Sequence, residues 1–318
     1  MPELPEVHTV VEDLRAAGVE GRYISSVSVS WNNTVRPLSP GQFAHHVQGL
    51  RIEAIGRRGK YIVFQLQPPG SHGPTASVEG PPESHRPAGF YQGPSGWPYH
   101  YQDGKPHLLT HLRMTGQYEL CPADSPADPH DRVEFILDDG RRLRFHDTRK
   151  FGRIIFTSHP REILDKLGPE PLDTNYSPEQ FTADLHAHSR QIKALLLDQS
   201  FIAGLGNIYC DEALFAAKVH PRTNSALISG EKAKNLLKQV RTALRQALKN
   251  RGTSLGKGET NYISGGRRGE NMAALKVYGR QGTPCPRCGT PIEKIYVAQR
   301  GSHFCPRCQM CPQCQDSG

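Results

Sequence analysis

The sequence predicts an α+β protein in which a strand-rich N-terminal part, a helical middle part and a cysteine-rich module follow one another. Short segments of strand-like alternation, separated by turn signals, fill residues 23–157, and this pattern is typical of a β-sandwich or barrel. Apolar residues recur at helical spacing from position 177 onward. Six of the eight cysteines lie after position 284. The 318 residues suffice for at least two domains.

The N-terminal part begins with a helix predicted over residues 4–18, where Pro5 suits the first turn. The strand-like segments after it are 23–30, 50–66, 108–120 and 132–157. Asp138-Asp139-Gly140 predicts a hairpin turn within the last segment. Residues 67–106 hold nine prolines and seven glycines in 40 positions without apolar periodicity. They predict a flexible insertion between two strands.

The middle part is predicted to be helical. Ser177-Pro178-Glu179-Gln180 has the pattern of a capped helix start with proline at the first helical position. Two further helices are predicted over about 207–219 and 229–250, and Gly252 ends the second of them.

The cysteine module has the spacing of a zinc ribbon. Cys285-Pro-Arg-Cys288 and Cys305-Pro-Arg-Cys308 are separated by sixteen residues, and two such pairs form a closed tetrahedral site. A closed site has no open coordination position, so the Zn²⁺ ion is expected to be structural. Cys311 and Cys314 add a third pair. An iron–sulfur cluster on the last four cysteines is the alternative, but it leaves Cys285 and Cys288 without a role.

The charge balance favours an anionic partner. The formal net charge is +8 and the sequence pI is about 9.1, which suits nucleic acid and is also compatible with an ordinary basic enzyme. No apolar run approaches the ~20 residues of a membrane span. The first residues lack the basic and apolar regions of a signal peptide. We therefore expect a cytoplasmic protein without a membrane partner.

The N-terminus offers a candidate nucleophile. Removal of Met1 before the small residue Pro2 would leave a secondary amine, and such an amine attacks an electrophilic carbon to form an iminium. Glu3 stands beside it as a candidate acid. Taken alone this observation is weak, since many chains begin with Met-Pro.

An ordered set of motifs makes the interpretation specific. The chain resembles the formamidopyrimidine-DNA glycosylase family over nearly its whole length apart from residues 67–106 and the last ten or so. The motifs are Pro2-Glu-Leu-Pro-Glu-Val7, Arg58-Gly-Lys60-Tyr61, His111-Leu-Arg-Met114-Thr-Gly116, Asp147-Thr-Arg149-Lys-Phe151-Gly152, Gly204-Leu-Gly-Asn207-Ile-Tyr209, Val277-Tyr-Gly-Arg280 and the four-cysteine module with Gln299-Arg300.

The resemblance implies an N-terminal β-sandwich with flanking helices, a helix-two-turn-helix domain and a C-terminal zinc ribbon. We place these domains at residues 1–160, 161–265 and 266–318. It also implies a bacterial monomer that binds damaged double-stranded DNA, removes oxidised purines such as 8-oxoguanine and formamidopyrimidines, and cleaves the abasic strand by β,δ-elimination.

The resemblance assigns roles to individual residues as well. By similarity, Pro2 attacks C1′ of the damaged nucleotide and Glu3 protonates the opening sugar ring. Lys60 contacts the phosphates flanking the lesion, Lys193 contributes to lesion processing, and Glu6 belongs to the base-binding pocket.

The DNA contacts follow from the same resemblance. Asn207, with the backbone of Gly204 and Gly206, is expected to hold a phosphate at a helix start, and Arg300 is expected to bind a phosphate. Met114, Arg149 and Phe151 match the residues that fill the hole left by the extruded base, which must leave the stack before chemistry at C1′.

Two other functions remain open at this point. One is an endonuclease VIII-like glycosylase for oxidised pyrimidines, and the other is a zinc-ribbon protein that binds damaged DNA without cleaving it. The basic segment 261–272 departs from the family pattern, so the exact lesion spectrum is left open.

Overall fold

The computed structural model describes residues 1–69, 103–255 and 262–310, and the chain divides into two compact units. The first unit is Met1–Pro2, Val7–Asp165 and Gly258–Arg267, and the second is Glu3–Glu6, Lys166–Lys257 and Arg268–Gly318. Most of the predicted insertion, residues 70–102, lies outside the described residues, and so do Cys311 and Cys314. The three-domain division stays a prediction.

Most of the described strands lie in the N-terminal half of the chain, and most of the described helices follow them. The α-helices are α1 (Leu4–Ala16), α2 (Pro40–Val47), α3 (Arg161–Leu164), α4 (Pro178–His186), α5 (Ile192–Leu196), α6 (Asn207–Ala217) and α7 (Gly230–Lys249). The strands are β1 (Ile24–Val29), β2 (Arg51–Arg58), β3 (Tyr61–Gln67), β4 (His107–His111), β5 (Gln117–Cys121), β6 (Asp131–Leu137), β7 (Arg142–His146), β8 (Arg153–Thr157), β9 (Ile263–Ser264), β10 (Arg267–Arg268), β11 (Glu293–Val297) and β12 (Arg300–Phe304).

The first unit is built on two four-stranded antiparallel sheets, in the orders β2-β3-β4-β8 and β1-β6-β7-β5. Alternate side chains of both sheets enter one apolar core, for example Phe64 of the first sheet and Phe135 of the second. Helix α1 adds Val7 and Val11, and α2 adds Phe43, whose ring meets Phe135 edge-on at 6.3 Å. The predicted β-sandwich with flanking helices is confirmed.

Three of the predicted strand segments are in fact pairs or triplets of strands. Residues 50–66 fold into the hairpin β2-β3, which turns at Gly59 with a φ of 56°. Residues 108–120 and 132–157 are interrupted by loops at 112–116, 138–141 and 147–152. The hairpin turn predicted at Asp138-Asp139-Gly140 is confirmed, because it joins the antiparallel strands β6 and β7 and Gly140 has a φ of 84°. The sequence pattern did not separate the other strands.

The second unit has its own apolar core around α6. Nearly every side chain of this helix is buried, including the charged residues Asp211 and Glu212, as expected for a helix surrounded by others. Helix α7 packs its apolar stripe against α6, and Ser229 caps its N-terminus. On its polar face, Arg241 donates hydrogen bonds to the carbonyl oxygens of Pro171, Asp173 and Tyr176.

The cysteine module belongs to the second unit. Strands β11 and β12 form an antiparallel ribbon whose tip, Ala298-Gln299, has both residues at positive φ, as a two-residue hairpin turn requires. Arg287 stacks over the ring of Phe215 at 4.3 Å and donates to the last carbonyl groups of α6. Within the described part of the chain, no helix has the length and apolarity of a membrane span.

Candidate functional site

The Glu3 carboxylate lies at the N-terminus of α6. It accepts hydrogen bonds from the backbone N–H groups of Gly206, Ile208 and Tyr209, at 2.8, 2.8 and 3.4 Å. These groups begin a helix and have no partner within it, and the helix dipole favours a negative charge there. A Cβ at Gly206 would lie 2.6 Å from Glu3 Oε1, so only glycine leaves room for this contact.

This arrangement corrects the predicted phosphate cradle. The N–H group of Gly206 is bonded to Glu3, and the N–H group of Gly204 donates to Gln199 Oε1 at 3.0 Å. The anion that occupies the start of α6 is therefore a carboxylate of the chain itself. The Asn207 side chain donates to the carbonyl of Gly301 at 2.9 Å, and its phosphate contact stays a prediction.

Glu6 also anchors the N-terminal segment. Its carboxylate accepts the N–H of Glu3 at 2.8 Å, the N–H of Thr253 at 2.7 Å and the hydroxyl of Tyr209. Burial raises the pKa of Glu6, and these hydrogen bonds offset part of that effect. Burial, with the nearby Glu6, also raises the pKa of Tyr209 well above its usual value. The protein itself thus takes up both oxygens of Glu6.

Pro2 is buried directly before these anchored residues. The N–H of Leu4 donates to the carbonyl of Gly204 at 3.0 Å, so residues 3, 4 and 6 are each bonded to a part of the chain at least 200 residues away. Met1 is 42% exposed. Removal of Met1 would convert the Pro2 nitrogen from an amide into a secondary amine directly before the anchored Glu3.

Lys60 lies in the tight turn between β2 and β3 and is 5% exposed. Its neighbour Tyr61 pairs with His111 across the sheet, and their rings meet edge-on at 5.0 Å. Burial, with the charges of Arg113 and Lys60, lowers the pKa of His111 to about 3. His111 Nδ1 accepts the N–H of Arg113 at 3.0 Å, so the neutral ring carries its proton on Nε2.

The three predicted hole-filling residues lie on two loops of the first unit. Met114 is on the loop between β4 and β5, and Arg149 and Phe151 are on the loop between β7 and β8. Phe151 is 47% exposed, and the Arg149 guanidinium lies 4.9 Å from the centre of its ring. Met114 is half-buried. The structure therefore places an apolar side chain and a hydrogen-bond donor together at the surface.

Lys193 is fully buried and forms an ion pair with Asp211, with 2.6 Å between Nζ and Oδ1. Its amine also donates to the carbonyl of Gly301 at 2.9 Å, as does the Asn207 side chain. Asp211 further accepts from Ser302 and from the N–H of His303. In this arrangement Lys193 holds the β12 strand beside the start of α6, and its predicted part in lesion processing stays a prediction.

Arg300 is exposed and is the first residue of β12 after the hairpin tip. The shared bonds to Gly301 bring it near Asn207 in the second unit. Sequence reasoning predicted Asn207 and Arg300 separately, and the structure brings them together.

The four cysteines form a compact cluster that fits a tetrahedral metal site. The Sγ–Sγ distances are 3.5 Å for Cys288–Cys305 and Cys288–Cys308, and 3.9 Å for Cys285–Cys308. A tetrahedron of sulfurs around zinc at about 2.3 Å has edges of roughly 3.8 Å. Four thiolates at this spacing fit one Zn²⁺ with no open position.

Comparison with known proteins places this site in a family. Three family models match consecutive parts of the chain: the formamidopyrimidine-DNA glycosylase N-terminal domain at residues 1–154, its H2TH domain at 167–258, and the zinc finger found in FPG and IleRS at 282–309. The formamidopyrimidine-DNA glycosylase of Protochlamydia amoebophila (strain UWE25) is 41% identical over 310 residues, which are 97% of this chain and 99% of that protein.

The chain belongs to the formamidopyrimidine-DNA glycosylase family. Solved structures of the family share its fold: Lactococcus lactis Fpg in complex with an abasic site containing DNA has a TM-score of 0.79 and 32% identity, covering 97% of this chain and 100% of that one. The MutM (FPG) protein from Thermus thermophilus has a TM-score of 0.76 and 35% identity, covering 97% and 98%.

The family models confirm the predicted fold class. The zinc-finger model and the cluster of four cysteines confirm the predicted structural zinc site. Several site residues escaped the sequence reasoning, namely His111, Thr115, Asp147, Tyr209, Asp211 and Thr253. Most of them stand inside motifs that were recognised, so their presence was visible. Their role was not, because it depends on partners far away in the chain.

Proposed function

We propose that this protein is a DNA repair enzyme that excises oxidised purines from double-stranded DNA and then cleaves the abasic strand, with Pro2 as the nucleophile. The observation that carries the proposal is the anchoring of residues 3 to 6. Glu3 and Glu6 bind the chain near residues 206–209 and 253 through buried hydrogen bonds. An amine held by such an anchor stays at a defined place, which is what covalent catalysis requires.

The chemistry follows from a secondary amine at Pro2. An α-amino group has a pKa near ~8, so part of it is neutral at cellular pH. The amine attacks C1′ of the extruded nucleotide and the bond from C1′ to the damaged base breaks. The C1′–O4′ bond of the sugar ring then breaks as O4′ takes up a proton, and the nitrogen is left as an iminium on C1′. This cation acidifies the C2′ proton. Loss of that proton expels the 3′ phosphate, and a second elimination expels the 5′ phosphate.

Glu3 is proposed to move the proton in this step. When the amine adds to C1′ it must give up its proton, and the carboxylate of the next residue accepts it and passes it to the ring oxygen of the opening sugar. The three N–H groups at the start of α6 stabilise the carboxylate before the proton arrives. Glu6 is proposed to hold the backbone of Glu3 in place, instead of lining the base pocket directly.

The DNA backbone is proposed to be held by Lys60, Asn207 and Arg300. Lys60 and Arg300 supply positive charge, and Asn207 supplies amide donors. We add His111, because its neutral ring presents Nε2–H beside Lys60 as an uncharged donor. The zinc ribbon is proposed to support the β11–β12 hairpin, in which Arg300 directly follows the tip.

The space left by the extruded nucleotide is proposed to be filled from the first unit. Phe151 and Met114 supply apolar surface, and Arg149 supplies donors for the orphaned base. The protein is proposed to act as a monomer on damaged DNA in the bacterial cytoplasm, where that substrate lies.

Borohydride trapping tests the nucleophile. The protein is incubated with a duplex containing 8-oxoguanine and borohydride, and the crosslinked peptide is mapped by mass spectrometry. We expect the DNA on Pro2. A tag fused before Met1 turns the Pro2 nitrogen into an amide and should abolish base excision and strand cleavage, while the same tag after Gly318 is the control.

Several outcomes would overturn the proposal. A crosslink to Lys60 would show that Lys60, and not Pro2, is the nucleophile. Normal cleavage by the N-terminally tagged protein would exclude a mechanism that uses the Pro2 amine. Preference for a thymine glycol duplex over 8-oxoguanine would indicate an enzyme for oxidised pyrimidines. Binding of abasic DNA without any cleavage would indicate a damage-binding protein. Glu3→Gln should lose excision of 8-oxoguanine while keeping much of its lyase activity on a preformed abasic site, which needs no base departure.

A further inference from the structure

Two loops that carry the proposed hole-filling residues run side by side because of the sheet topology. The loop at residues 112–116 leads from β4 in one sheet to β5 in the other, and the loop at 147–152 leads from β7 back to β8. Strand β4 pairs with β8, and β5 pairs with β7. Both crossings therefore lie at the same end of the sandwich.

A single buried carboxylate links these two loops. Asp147 is 0% exposed and opens the second loop. Its Oδ1 accepts the hydroxyl of Thr115 on the first loop and the N–H of Arg149 at 3.2 Å, and its Oδ2 accepts the N–H of Gly152 at 2.7 Å. Thr115 Oγ1 also lies 3.3 Å from the N–H of Arg149. The carboxylate and the hydroxyl thus bind the backbone on both sides of Phe151.

The same loops share one apolar support. A Cβ at Gly116 would lie 2.8 Å from Phe145 Cζ, and a Cβ at Gly152 would also overlap the Phe145 ring. Both loops therefore rest directly on this ring, which is fully buried in the sandwich core. The Phe145 ring supports both loops from the core, and the hydrogen bonds of Asp147 fix the two loops relative to each other.

The bonds to Asp147 follow from its burial. A buried carboxylate must be matched by hydrogen-bond donors, otherwise its desolvation destabilises the fold. At Asp147 the donors to the carboxylate are supplied by the two loops. Loops ordered in advance lose less conformational entropy when they bind, so Met114, Arg149 and Phe151 meet DNA already in place.

We propose that Asp147, through its bond to Thr115, is a positioning residue that makes the Met114 loop and the Arg149–Phe151 loop enter the DNA as one wedge. The inference rests on the proposed hole-filling function of these residues. It adds that the wedge is a single preformed element whose two halves cannot act separately. Asp147 itself does not touch the substrate.

The test compares two buried threonines. Thr115→Val removes the hydroxyl that joins the loops, and Thr115→Ser keeps it. Thr110→Val is the matched control, because Thr110 is also buried but its hydroxyl bonds to Tyr118 at 2.8 Å. Each variant is assayed by single-turnover excision of 8-oxoguanine from a duplex and by cleavage of a single-stranded oligonucleotide with an abasic site, where no paired base has to be displaced.

We expect Thr115→Val to slow duplex excision about tenfold and to leave single-strand cleavage within about twofold of the parent. Thr115→Ser should restore duplex excision, and Thr110→Val should leave the ratio of the two rates unchanged. In a Met114→Ala/Arg149→Ala/Phe151→Ala background, Thr115→Val should cause no further loss, because there is no wedge left to position.

Equal slowing of both reactions by Thr115→Val, or its full effect in the background without a wedge, would overturn the inference and assign Thr115 to general stability. An unchanged duplex rate in Thr115→Val would overturn it too. The proposed function fails separately: if Phe151→Ala leaves the ratio of duplex to single-strand rates unchanged, then Phe151 does not fill the hole, whatever Thr115 does.

Discussion

Replacing Lys193 by methionine distinguishes a structural from a chemical role for this buried amine. Lys193→Met keeps the length and apolar stem of the side chain and removes the charge that faces Asp211. Both side chains are at most 1% exposed, and their charged atoms are 2.6 Å apart. The substitution therefore leaves a carboxylate buried without its counter-charge.

The expected loss of stability is about 3 kcal/mol. Breaking a buried ion pair by removing one partner destabilises a protein by about 3–5 kcal/mol. Asp211 retains hydrogen bonds from the N–H of His303 at 2.8 Å and from the hydroxyl of Ser302 at 3.1 Å. Because these donors still stabilise the carboxylate, we expect a loss at the lower end of this range. The double variant Lys193→Met/Asp211→Asn removes both charges and should regain most of the loss.

An exposed ion pair of similar length provides the control. Lys234 Nζ lies 2.7 Å from Glu179 Oε1, but these side chains are 50% and 67% exposed, so Lys234→Met should leave the free energy of unfolding nearly unchanged. Urea unfolding of the zinc-loaded protein measures the stabilities, and fluorescence anisotropy with an abasic duplex measures binding. Because Lys193 holds Gly301 beside Asn207, Lys193→Met should also weaken DNA binding.

The reasoning would be refuted by a Lys193→Met protein that unfolds within about 0.5 kcal/mol of the parent but has lost excision. That result would mean that the amine reaches the substrate in a conformation other than the one described.

Three further predictions follow from the site. Cys288→Ser should lose zinc, about one ion per chain in the parent, and with it DNA affinity, because the ribbon carries Arg300; elemental analysis showing iron, or normal DNA binding by the variant, would contradict this. Arg300→Ala should weaken binding to damaged and undamaged duplex alike and reduce the salt slope by about 1, whereas Arg307→Ala, an exposed arginine of the same module, should not; anisotropy titrations across a salt series decide. The pKa of His111 is lowered from 6.5 to about 3, so below pH 6.5 the unfolded chain binds a proton that the folded chain does not. Stability should therefore be lost as the pH falls from 6.5 toward 3, by up to ~1.4 kcal/mol per pH unit, and His111→Gln should lose this part of the pH dependence in urea unfolding at pH 5 and 7.5.

Local patterns predicted the fold class well, because each depends on neighbouring residues. The two Cys-x-x-Cys pairs predicted the zinc ribbon from spacing alone, and Ser177 and Ser229 marked helix starts that the structure confirms. The strand pattern predicted a sandwich and the hairpin turn between β6 and β7, although it did not separate β2 from β3 or β4 from β5. In each case the decisive residues lie within one element or one turn.

Long-range polar contacts were invisible to the same reasoning. Glu3 was placed beside Pro2 from its position in the chain, but nothing in its surroundings shows that it binds Ile208 205 residues away. The glycines before Asn207 matched a phosphate-binding pattern, and the same geometry receives a carboxylate instead. Lys193 was assigned by similarity alone, and its pairing with Asp211 became evident only from burial.

The order in which the ribosome makes these partners has a consequence for the enzyme's maturation. Glu6 is bonded to the N–H of Thr253, 247 residues later in the chain. At about 5–20 residues per second, translation leaves the N-terminal segment without this partner for roughly 12 to 50 s. On the proposed mechanism, an aminopeptidase would meet Met1 on a tail that has not yet docked. The Pro2 amine would then be exposed early but acquire its surroundings only when synthesis is nearly finished, so a truncated nascent chain would have the proposed nucleophile without a site in which to use it.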